Sequence, residues 1–174
     1  GSYAANLTQA TIYGGRRTAA GNTLNVKGQG ITVKGVHNFT NYNFYLTDKI
    51  DKNDRNAMLK VTDHNGFENQ YSGTTPVNFS NVKINLQNMS AKQIAGRVTL
   101  LEGNDDYALK FQNYTPTAAW LISPTHSDYE YALRLERSDG TEAPTGTTTG
   151  RRVLLDYNRF QNGNVAYDAA SNDT

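Results

Sequence analysis

Three histidines, His37, His64 and His126, are the side chains best placed by type for acid–base or metal chemistry near neutral pH. None has a second histidine at HxxxH or HExxH spacing, so no pair is set up as metal ligands. His126-Ser127-Asp128 contains the letters of a nucleophilic triad. Neighbours along a strand point to opposite faces, however, and a working triad is assembled from distant positions. Glu102, Asp105 and Asp106 lie in "EGNDD", which reads as an acidic turn and not as a carboxylate pair for glycoside chemistry. Two Asx-rich stretches offer oxygen ligands: Asp51, Asn53 and Asp54 in "DKNDRN", and Asp63, Asn65 and Glu68 in "DHNGFE". Neither keeps the twelve-residue loop of a strong calcium motif. Asx side chains bonding their own backbone in turns account for both.

Asn-x-Ser/Thr triplets begin at Asn6, Asn38, Asn78, Asn88 and Asn113, at a frequency that chance supplies in so Asn-rich a chain. Eleven tyrosines and Trp120 remain. Aromatics on a β surface can stack on sugars or anchor a protein partner. Tyr114, Trp120, Tyr129 and Tyr131 gather in the last third, where core packing is the expected role for most of them. No catalytic, cofactor-binding or metal-binding residue is therefore assigned, no cofactor is implied, and the chain is not expected to be an enzyme.

The elements that hold these side chains are read from composition and pattern. At 174 residues the chain is long enough for one domain with a buried core. Charged residues are only 19% and the net charge is +1, so no overall field draws the chain to nucleic acid or a membrane. Arg16-Arg17 and Arg151-Arg152 read as solvated surface pairs. Cysteine is absent, which excludes disulfides and thiolate chemistry; this fits a bacterial protein that crosses an outer membrane, and a cytosolic protein can lack cysteine as well. No apolar run approaches the ~18 residues that span a bilayer, and no signal peptide is visible. Gly1-Ser2 reads as a cloning remnant, which implies excision from something longer.

Short strand-like runs dominate: Thr23–Val26, Ile31–Val33, Asn43–Leu46, Met58–Val61, Val82–Leu86 and Val98–Leu101, followed by Tyr107–Phe111, Ala118–Ile122, Tyr129–Glu136 and Val153–Tyr157. Gly, Asn and Asp punctuate them. Ser90–Arg97 allows one helical turn, and no window has a sustained 3.6-residue period. In "YEYALRLE", Tyr129, Tyr131, Leu133 and Leu135 alternate with Glu130, Arg134 and Glu136, which predicts one buried and one wet face. Glu142–Gly150, "EAPTGTTTG", reads as a mobile linker. Before residue 50 the strands are shorter and the turns tighter. That fits a solenoid whose corners need positive φ, with Gly28, Gly30 and Gly35 at them. Asn38, Asn41 and Asn43 beside Phe39 and Phe44 would then suit an inward asparagine ladder. Hairpin turns of an antiparallel β-sandwich are the alternative.

The residues that break this tie run from Ile12 to Asp63. They are Tyr13-Gly14-Gly15, Gly21-Asn22-Thr23-Leu24-Asn25, Asn38-Phe39, Asn43-Phe44-Tyr45-Leu46, Ile50, Asn53-Asp54 and Met58-Leu59-Lys60-Val61. Together with Arg97–Gly103, "RVTLLEG", they resemble the passenger region of bacterial autotransporters (type V secretion) near its C-terminal, autochaperone-like end. From Ala108 onward, Trp120 included, no family phrase matches, and the GDSG-like motif of protease-type passengers is absent. The resemblance implies an all-β fold in which short right-handed parallel β-helix coils (1–65) are capped by an antiparallel β module (66–174), the two forming one continuous unit. In that arrangement Phe39 or Phe44 is buried, and the strands from Val82 on pair antiparallel, burying Val82, Ile84, Leu86, Leu133 and Leu135. The implied role is structural and adhesive, at the cell surface or secreted, with assistance to passenger folding. The partners it implies are a host-surface protein or glycan, with self-association and without membrane insertion of this segment. A carbohydrate-binding β-sandwich module is the second functional reading.

Overall fold

The computed structural model describes residues 9–16, 21–47, 49–50, 56–70, 74–86, 97–121 and 129–156. Nearly all their regular structure is strand. β1 (Thr11–Tyr13), β2 (Thr23–Lys27), β3 (Ile31–Val33) and β4 (Gly35–His37) come first, followed by β5 (Asn41–Leu46) and β6 (Leu59–Val61). Then come three two-residue strands, β7 (Asn69–Gln70), β8 (Thr74–Thr75) and β9 (Val77–Asn78), and a single 3₁₀ turn at Phe79–Asn81. β10 (Val82–Leu86), β11 (Arg97–Glu102), β12 (Leu109–Tyr114) and β13 (Thr117–Leu121) follow. β14 (Tyr129–Glu136), β15 (Gly146–Gly150) and β16 (Arg152–Asp156) complete the set. No α-helix occurs among the described residues. The fold is all-β, as the patterning predicts.

Three ladders run through the first two thirds in the same sense. In one, β2 pairs β5 and β5 pairs β10, all parallel, with Leu24 opposite Tyr42 and Tyr42 opposite Val82. In the second, β3 pairs β6 and β6 pairs β11, again parallel, with Ile31 opposite Leu59 and Leu59 opposite Leu101. In the third, β1 pairs β4 in parallel, Val36 bridges Phe67, and Phe67 bridges Leu109. An antiparallel hairpin over Thr23–Leu46, the sandwich alternative, is therefore contradicted. The turn after β2 carries Gly28 and Gly30 at φ 122° and 77°, a region closed to most L-residues. Gly35 corrects the expectation of a third such corner. It lies inside β4, and a Cβ there would meet His37 Nε2 at 3.1 Å and the Gly66 carbonyl oxygen at 3.2 Å. Its smallness serves close packing.

Antiparallel pairing begins on the far side of β11. The six-stranded sheet runs β13-β14-β16-β11-β6-β3, with β16, β14 and β13 antiparallel to their neighbours. β15 likewise pairs antiparallel with β12, which also meets β9 in parallel. This corrects the expectation of antiparallel pairing from Val82 onward, and parallel pairs extend well past residue 65. Alternating hydrophobicity reports which face of a strand is buried and carries no information on the direction of its neighbour. A second correction is Glu142–Gly150. Its Gly146–Gly150 half is strand β15, with Thr148 buried; β-branched threonines fit a pleated surface despite their linker-like company.

The core is continuous. Val26, Phe39, Phe44, Val82, Leu133 and Leu135 are buried in it, Ile84 is half-buried against it, and the Leu86 side chain lies outside the described residues. A chain of rings passes from Phe39 through Tyr42, Phe67, Phe111 and Phe79 to Tyr114, with centroids 4.7–5.9 Å apart in tilted and edge-on contacts. Asn113 lets both ends of β12 contribute to it. At φ 56° it inserts a bulge, and the register against β15 shifts between Phe111 and Tyr114, so both aromatic residues face inward.

Candidate functional site

The turn Asp63–Gly66 lies against β12. Glu68 is buried, and its carboxylate accepts from Lys110 Nζ at 2.9 Å, while Asn65 Oδ1 accepts from the same ammonium at 3.0 Å. Two of the oxygens proposed for a cation thus already hold one that belongs to the protein. Asp63 makes a turn bond instead, its carbonyl accepting from Gly66 N at 3.0 Å. His64 Nδ1 and Asp105 Oδ2 lie 2.6 Å apart at the exposed rim of the turn. The His64 hydrogen bond, helped by the Tyr107 backbone N–H, holds the Asp105 carboxyl below its usual value. Asp106 accepts from Ser138 N and Oγ at 2.7 and 2.5 Å, so the acidic turn ties two loops together. No cluster of three or more His, Cys, Asp or Glu suited to a metal is found among the described residues. Asp51, Asn53, Asp54 and His126–Asp128 lie outside them.

His37, the remaining histidine, is buried. Its Nδ1 donates to the Glu68 carbonyl oxygen, and its ring stacks 5.3 Å from that of Tyr13. It is a core histidine with a backbone partner. Next to it, Asn38 turns the corner at φ 67° with 1% exposure. Its amide donates to the Gly15 carbonyl at 2.7 Å, its backbone N–H donates to Asn69 Oδ1 at 2.9 Å, and Asn22 Nδ2 donates to its carbonyl at 3.0 Å. The expected inward asparagine is present, linking three successive passes of the chain through backbone groups. Asn41 and Asn43 correct that expectation: they lie on the outward side of β5, where Asn43 Nδ2 donates to Asn25 Oδ1 at 3.2 Å.

On the outer face of the six-stranded sheet one register row reads Lys60, Glu102, Arg152, Glu136 across four adjacent strands. Arg152 reaches Glu102 at 3.5 Å and Glu136 at 3.8 Å, and Arg134 reaches Glu136 at 3.1 Å. Asp156 is shared by Arg97 at 3.3 Å and Arg134 at 3.6 Å, and Arg151 adds a contact to Glu102 at 3.8 Å. Glu136 and Asp156 are buried. Arg134 and Glu136, expected on a wet face, therefore belong to a largely buried ionic ladder, and Arg151-Arg152 are half-buried partners in it. Alternating charge marks the polar side of a strand but does not tell that opposite charges will meet across strands and shield one another. No sequence signal short of the register identifies this row.

The outward face of β2-β5-β10 is different in kind. It presents Thr23, Asn25 and Lys27, then Asn41, Asn43 and Tyr45, then Lys83 and Asn85, all exposed or half-buried. Lys27 Nζ stands 4.9 Å above the Tyr45 ring. Of the aromatic candidates, Tyr114 is a core residue, and the side chains of Trp120, Tyr129 and Tyr131 lie outside the described set.

Comparison of the chain with protein-family models, with curated proteins and with solved structures found no match in any of the three.

Proposed function

We propose that this chain is a segment of a bacterial autotransporter passenger. In this reading a short right-handed parallel β-helix is closed at one end by antiparallel strands, and it serves a structural and adhesive role at the cell surface or in the secreted protein. One observation carries the reading: successive passes of the chain pair in parallel, in the same order, on three ladders at once. A stack of this kind needs a finished end, or its open edge recruits other chains. The antiparallel strands β16, β14 and β13 beyond β11 fit that need on one ladder, and β15 beyond β12 fits it on another. The sequence phrases between Ile12 and Asp63 supply the link to secretion. A closed end of this sort is also a natural nucleus, onto which earlier passes add one by one during export.

Antibody raised against the purified chain should label intact, unpermeabilised cells of the source organism or its culture medium. Label confined to permeabilised cells would overturn the reading. A second arm tests the folding role. Ile84 packs half-buried against the core from β10, and Ile84→Asp places a carboxylate there at a cost of about 3 kcal/mol. In the parent protein this substitution should delay the appearance of surface label, whereas an exposed change such as Lys83→Gln should not.

A further inference from the structure

We propose that the outward face of the β2-β5-β10 sheet binds an acidic polysaccharide. Among the described residues the face holds eight polar or aromatic side chains and no carboxylate: Thr23, Asn25, Lys27, Asn41, Asn43, Tyr45, Lys83 and Asn85. On the neighbouring sheet acidic and basic side chains meet in a ladder. Here two ammonium groups stand without a counter-charge among the described residues. Lys83 makes no ion pair or hydrogen bond among the described residues, and the described partner of Lys27 is the Tyr45 ring.

The chemistry on this face suits a sugar chain. Strands spaced about 4.8 Å apart, with alternate residues about 6.6 Å apart along each, make a flat and regular platform. Tyr45 offers a half-exposed ring; Lys27 lies over one face, and the part of the ring left exposed can pack against the C–H side of a pyranose. Asn25 and Asn43 are already joined amide to amide at 3.2 Å, leaving an outward row of donors and acceptors that matches vicinal hydroxyls. Lys27 and Lys83 lie on opposite outer strands and two residues out of register, roughly 12 Å apart by the same strand geometry. They would meet negative groups on separate sugar units. A neutral glycan would leave both ammonium groups unused. A folded protein partner would need an apolar centre, which this face lacks.

The inference stands on the sheet face and not on the secretion reading, so intact-cell labelling and glycan binding can fail separately. The test is calorimetric titration of the chain with octasaccharides of hyaluronan, polygalacturonate and heparin, with a neutral dextran oligomer alongside. At least one acidic oligomer should bind with a Kd below about 1 mM, weaken steeply with added salt, and be preferred over dextran. Tyr45→Ala should lower affinity roughly five- to tenfold, and Tyr45→Phe, which keeps the ring, should retain it. Lys27→Gln and Lys83→Gln should each lower affinity about two- to fivefold, and Lys60→Gln on the other sheet should change nothing. Circular dichroism melts confirm that each variant is folded. Failure of all three acidic oligomers, equal binding of dextran, or wild-type affinity in both the Tyr45→Ala and the lysine variants would overturn the proposal.

Discussion

Tyr42 and Tyr114 stand in the same line of rings, yet their hydroxyls face opposite circumstances. The Tyr42 hydroxyl is buried with no hydrogen-bond partner among the described residues, and burial alone pushes its phenol far above the usual range. Tyr114 accepts from Leu135 N at 2.8 Å and donates to Glu142 Oε1 at 3.1 Å. Removing an unpartnered buried polar atom is neutral or favourable, whereas stripping a partner from a buried N–H is costly. In urea melts Tyr42→Phe should match or exceed the wild type by up to about 1 kcal/mol, and Tyr114→Phe should lose about 1–2 kcal/mol. Equal losses in the two variants would contradict this account. Asp105 gives a pH-dependent case. Its folded pKa lies below the unfolded one, so its stabilising contribution is fully present above the unfolded value near 3.9 and is lost as pH falls through the folded value. The pair with His64 is solvent-exposed, so the effect should stay under about 1 kcal/mol. Asp105→Asn should remove that part of the acid sensitivity, lowering stability near neutral pH by the same amount, under about 1 kcal/mol, and matching the wild type in acid.

At the scale of elements, the ladder across β11, β16 and β14 binds the antiparallel strands to the parallel ones more specifically than apolar contact would. Glu136 is 7% exposed and touches both Arg134 and Arg152. Glu136→Ala takes one carboxylate from Arg134, which keeps Asp156, and from Arg152, which keeps Glu102, and should cost about 2 kcal/mol, more than a surface pair. The loss should persist in high salt, because buried pairs are screened little. Replacing the exposed Asp105 provides the contrast within the same molecule. A Glu136→Ala loss below about 0.5 kcal/mol would mean that the ladder is solvated in solution.

For the whole molecule, the unequal ends decide how it behaves with copies of itself. In the sheet order β2 and β3 are terminal strands, with backbone groups along one edge that no described strand pairs. Unpaired parallel edges are templates for further strands. Light scattering across a concentration series should show reversible self-association. A molecule that stays monomeric throughout would mean that this edge is covered.

The sequence by itself determined the all-β class, the short strands, the inward side of β10 at Val82 and Ile84, the burial of Phe39 and Phe44, and the positive-φ role of Gly28 and Gly30. Each of these follows from local physics: side-chain alternation, β-branching, and the steric freedom of glycine. It also led to the turn at Asp63–Gly66, although the bond that closes it comes from the Asp63 backbone carbonyl and not from an Asx side chain. Only the tertiary structure decided what depends on which segments become neighbours. Val82–Leu86 alternates like a strand of an antiparallel sheet, and nothing in its residues says that Asn41–Leu46 runs beside it in parallel. Glu102, Glu136 and Arg152 are far apart in the chain and look like solvated charges until register sets them in one row. Gly146–Gly150 looks like linker until β12 supplies a partner. Lys27, Tyr45 and Lys83, scattered through three strands, form one face for the same reason: hydrogen bonds between distant segments fix register, and register is a property of pairs.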